Sequence, residues 1–60
     1  MTEARKDALL RRIESAALDV LASAARMRAG GGLDDARILF EAACDAHGDA
    51  LELALGEEAS

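Results

Sequence analysis

Cys44 and His47 carry the most specific chemistry in the chain. They stand three residues apart, a spacing that puts a thiol and an imidazole on one face of a helix. Such a pair can reach a single metal ion, but it supplies only two of the four ligands of a zinc site. Completing the set would take a second copy of the motif. The pair therefore reads as a small buried thiol beside a core or boundary histidine, and no metal or cofactor is assigned. As a nucleophile and its base, the two would also need an orienting group, oxyanion donors and a concave site. Asp45 and Asp49, one turn apart, read as solvated charges rather than an acid and a base. No residue is assigned a catalytic role, and the chain is expected not to be an enzyme.

Gly30, Gly31 and Gly32 precede Asp34 and Asp35. A glycine loop before a helix can cradle phosphate. Here no strand precedes it, no lysine follows it and two aspartates would repel the anion, so the glycines read as a connector. Gly48 lies within a helical run, where glycine costs up to about 1 kcal/mol relative to alanine; it marks either a close helix crossing or a tolerated imperfection.

The elements that carry these residues follow from composition. Fifteen of the 60 residues are alanine, none is proline, and Phe40 is the single aromatic residue. Alanine favours helix, and the only β-branched residues are Thr2, Ile13, Val20 and Ile38, so the expected class is all-α. Leu10, Ile13, Ala17, Val20, Ala24 and Met27 recur at spacings of three and four, with Leu9, Ala16 and Leu21 widening the stripe. Helix 1 is expected over about 3–28, with Thr2 as N-cap. After a glycine-rich loop at 29–33, helix 2 is expected over about 35–55, capped by Asp34 and stapled by Leu33 onto Ile38, with a short acidic tail at 56–60.

Helix 2 carries two apolar stripes. One runs through Leu33, Ala36, Phe40, Ala43, Cys44, His47, Ala50, Leu51 and Ala54; the other runs through Leu39, Ala42, Ala46 and Leu53. A single neighbour cannot cover both. Leu39, Ala42, Ala46 and Leu53 are therefore expected to form an oligomer interface, with Phe40 in the core. A 60-residue chain removes only about 60% of its unfolded surface from water, and one cysteine allows no internal disulfide. Short connections force the helices antiparallel, and two such hairpins would pair into a four-helix bundle with two-fold symmetry.

Charge is divided between the halves. Residues 1–28 carry six basic and four acidic side chains, and residues 33–60 carry Arg37 against eight acidic ones, within a net charge of −5. Opposite charge favours packing one half on the other, within or between chains. The overall acidity disfavours nucleic acid and anionic membrane. No apolar run is long enough to span a bilayer, and a lone thiol fits a reducing cytoplasm better than a secreted scaffold, so the chain is expected to be soluble and cytoplasmic.

The outline is similar to that of the Rop family of plasmid proteins, short hairpins that dimerise into four-helix bundles and bind paired RNA loops. Local runs such as Lys6, Ala8-Leu9 and His47-x-Asp49-x-Leu51 match, but the apolar register differs. The likeness implies an assembly mode, and no functional residue is carried over.

The leading functional expectation is a small protein–protein interaction module, a regulator, inhibitor or adaptor acting as a homo-oligomeric bundle, with a homodimer favoured. Its partner-binding residues would be Glu41, Asp45, Asp49 and Glu52, an acidic band extended by Glu57 and Glu58, with Ile38 and Leu53 at its margins and Leu18 as an exposed anchor. Such a band suits a protein with a basic surface. Two alternatives stand beside it: a nucleic-acid binder using Arg11, Arg12 and Arg26, and a purely structural assembly subunit.

Overall fold

The computed structural model describes residues 1–59, with side chains described through Glu57. It consists of two helices, α1 (Glu3–Arg28) and α2 (Leu33–Ala59), packed along their length as an antiparallel hairpin. Thr2 caps α1: its backbone is extended, and its hydroxyl accepts the Arg5 N–H at 3.1 Å. The other end of α1 closes in a Schellman turn. The Gly31 N–H donates to the Arg26 carbonyl at 2.8 Å, and the Gly30 N–H donates to that of Met27 at 3.1 Å. Gly30 takes φ 102°, a left-handed conformation that favours glycine.

This turn delivers the chain into α2 earlier than the sequence suggests. The Gly32 carbonyl accepts the Ala36 N–H at 3.2 Å, so Gly32, not Asp34, holds the N-cap position. Asp34 and Asp35 lie within the first turn, where the helix dipole favours an anion. Leu33 is 74% exposed and does not act as the expected staple. At its other end α2 continues through Gly56 to Ala59, replacing most of the expected tail with helix; Ser60 lies outside the described residues. The Met1 side chain lies over Gly56 and occupies the space a Cβ would need.

The seam of the hairpin is narrow. Leu9 and Ser23 are fully buried, Ala16 and Ala42 nearly so, and Ile13, Val20, Ala24, Leu39, Ala46 and Leu53 are half-buried around them. The buried stripe of α1 therefore follows Leu9, Ala16 and Ser23. It lies on the flank of the expected face that Leu9 and Ala16 were to widen: Ile13, Val20 and Ala24 of the expected stripe border the seam, while Leu10 and Ala17 remain exposed.

On α2 the two stripes exchange roles. Leu39, Ala42, Ala46 and Leu53, expected to meet another chain, are covered by α1 within the hairpin. Phe40, expected in the core, is 69% exposed, and Cys44, His47 and Leu51 are exposed with it. The choice coincides with the placement of charge. Asp35, Asp49 and Glu52 flank the stripe that α1 covers, and each pairs with an arginine of α1. Among the described residues the Phe40 stripe has one carboxylate that reaches α1, Glu57 at its end, which pairs with Lys6.

Candidate functional site

Four ion pairs join the helices among the described residues. Arg5 holds Glu52 through both carboxylate oxygens, its Nη2 lying 2.8 and 2.7 Å from them. Lys6 Nζ lies 3.5 Å from Glu57, Arg12 Nε 3.2 Å from Asp49, and Arg26 Nε 2.6 Å from Asp35. Arg26 also donates from Nη2 to the buried Ser23 hydroxyl at 3.1 Å, which ties the latch beside the loop to the seam. Arg5, Arg12 and Arg26 lie on one line of α1, at spacings of seven and fourteen residues. That spacing was the available signal for these pairings, and a tally of charge by halves does not reveal it.

The pairs divide the expected acidic band. Asp49 is buried to 8% exposure and turned toward Arg12, and Glu52 is held by Arg5, so neither is a free solvated carboxylate. Glu41 and Asp45 remain exposed, as does Leu18. Ile38 is 42% exposed, whereas Leu53 is half-buried in the seam. The side chain of Glu58 lies outside those described. Glu52 raises the Arg5 guanidinium above its ordinary value, first by hydrogen bonding and then by charge. On the alkaline side this contribution is complete at neutral pH and is lost in strongly alkaline solution as Arg5 gives up its proton.

The Arg5, Arg12 and Arg26 pairs and the remaining carboxylates give the hairpin a polar face, whereas Lys6 and Glu57 pair on the other side of the seam, near the end of the hairpin. A shallow cleft of about 200 Å³ opens on the polar face, between Arg12, Ser15 and Asp19 of α1 and Asp45 and Asp49 of α2. The opposite face is apolar and draws on both helices. Counting about 100° per residue from the seam puts Leu10, Ala17, Leu21 and Ala24 of α1 on the same side as Ala36, Ala43, Ala50 and Ala54 of α2. Phe40 and His47 stand at the α2 margin of this face and Glu14 at its α1 margin.

The Arg11, Arg12 and Arg26 set is committed elsewhere: Arg11 pairs with Asp7 on its own helix at 2.9 Å, and the other two pair with α2. Cys44 and His47 stand on the convex outer side of α2, not in a core. Among the described residues no group of three His, Cys, Asp or Glu side chains is placed to hold a metal ion, and no helix is long and apolar enough to cross a membrane. No family model matches the chain, and neither the curated proteins nor the solved structures provide a match.

Proposed function

We propose that this chain is a small non-enzymatic protein-interaction module that works as a homo-oligomeric helical bundle and meets a basic protein surface through its acidic, ion-paired face. The observation that carries the reading is the segregation of the hairpin into a charged face and an apolar face around a seam that, among the described residues, fully buries only Leu9 and Ser23. An apolar face of this extent is a cost in water unless something covers it. On the charged face Asp19, Glu41 and Asp45 add negative charge beyond the paired residues, which favours encounter with a cationic surface.

Internal pairing of Arg11, Arg12 and Arg26 supports a protein partner over a nucleic acid, because phosphate would have to compete with carboxylates already in place. Cys44 and His47, in solvent on a convex surface, lack the enclosure that a catalytic pair requires. A cytoplasmic location belongs to the same proposal, since an exposed single thiol suits a reducing compartment.

The test compares wild type with Glu41→Lys/Asp45→Lys as bait in native lysate. One stoichiometric protein held by wild type and released by the double variant, at unchanged helicity and mass, is the expected result. Equal capture by both would return this face to the role of solvated surface.

A further inference from the structure

We infer that the apolar face formed by Leu10, Ala17 and Leu21 with Ala43, Ala50 and Phe40 is the seat of a second copy of this chain, with each α1 lying over the partner's α2. The inference rests on the oligomeric part of the proposed function and assigns it a face and an orientation, both different from the Leu39, Ala42, Ala46 and Leu53 interface expected from sequence.

Surface area argues for a covering partner of about this size. The chain exposes 4370 Å², whereas a compact monomer of 60 residues exposes about 3,700 Å². The difference approaches the roughly 800 Å² that each partner contributes to a standard stable interface. Shape agrees. The radius of gyration is 13.7 Å for a body of 45 × 14 × 12 Å, against about 10 Å for a compact chain of this length and about 14 Å for one of twice the length. A second layer added to the thin dimension gives a bundle of ordinary proportions.

Pattern and charge argue that the partner is the same chain. Each helix carries two adjacent seven-residue lines: Leu9, Ala16 and Ser23 beside Leu10, Ala17 and Ala24 on α1, and Leu39, Ala46 and Leu53 beside Ala36, Ala43 and Ala50 on α2. One line of each helix is used inside the hairpin. A helix with two such lines is built to touch two neighbours, as in a four-helix bundle. Between the Lys6–Glu57 pair at one end and Arg28 at the other the free face is uncharged, so its middle offers nothing to select a charged partner, and the acidic faces of two copies would point away from each other.

The margins of the face complement themselves. The ion pairs set an antiparallel register that places Glu14 level with His47, and Leu21 level with Phe40, on opposite edges. A half-turn about the long axis lays α1 over the partner's α2. It brings Glu14 to the partner's His47 and Leu21 to the partner's Phe40, with Ala17 and Ala43 allowing close approach at the centre.

The test joins sedimentation of the wild-type chain to oxidation by diamide of Glu14→Cys/His47→Cys in a Cys44→Ser background. The two substituted positions are exposed, so folding is preserved, and they lie on opposite edges of one hairpin, so a bond between them requires another copy. A wild-type mass of two chains, with a covalent dimer from the double variant and from neither single variant, is expected. Self-linking by Glu14→Cys alone would lay α1 on α1 and overturn the orientation. A dimeric wild type whose double variant gives no covalent dimer would overturn the face and leave the oligomeric reading intact. A helical, cooperative and strictly monomeric wild type would overturn both.

Discussion

At the residue scale the glycines separate into those the backbone requires and those it does not. Gly30 holds a positive φ, and any Cβ at Gly31 would fall 2.8 Å from the Arg26 carbonyl oxygen. Gly48 faces open space, with nothing within 4 Å of the position a methyl group would take, so it is not the mark of a helix crossing within the hairpin. Gly48→Ala should therefore stabilise the protein by about 0.5–1 kcal/mol through helix propensity. Gly30→Ala should destabilise it by about 1–2 kcal/mol through its left-handed backbone. Thermal melts check both. A lower melting temperature for Gly48→Ala would mean that another molecule approaches the backbone there.

At the scale of the elements, the question is what orients α2 on α1. Apolar content alone does not decide, since the richer stripe of α2, through Leu33, Phe40 and Leu51, is the one left exposed. Arg12 and Asp49 test the role of charge, because Asp49 is nearly buried while Arg12 is more than half exposed. Arg12→Ala should cost about 1 kcal/mol, as it strands a carboxylate in the seam. Asp49→Ala on top of it should recover most of that loss, because the remaining pair of small apolar groups strands nothing. Chemical denaturation of the two single variants and the double variant completes the cycle. Additive losses would show that the pair does not couple the helices. The exposed Arg5 and Glu52 pair should contribute less and should weaken with salt.

At the scale of the whole molecule, a seam this thin ties stability to association. If a second copy covers the apolar face, folding and dimerisation share one equilibrium, and the melting temperature must rise with protein concentration. A concentration series followed by circular dichroism over two decades checks this. A melting temperature independent of concentration, with a cooperative transition, would show that Leu9, Ala16 and Ala42 suffice for a stable monomer.

The helices themselves were legible in the sequence, because their causes are local: alanine content, the absence of proline, the Thr2 cap and the glycine break between two amphipathic runs. So was the antiparallel hairpin, since a short connection leaves consecutive helices little other choice. Which stripe of α2 meets α1 was not legible from hydrophobicity. The stripe through Phe40 carries more apolar side chains yet lies outside, and the stripe that docks is the one flanked by carboxylates that meet arginines of α1, groups distant in sequence and adjacent only once the helices dock. For the same reason Phe40, Cys44 and His47 read as core from their spacing yet stand in solvent, and Asp49 reads as surface yet lies in the seam. Periodicity along a helix reports that a face is apolar; only the tertiary register decides what covers it, because that depends on the charges flanking it on another element.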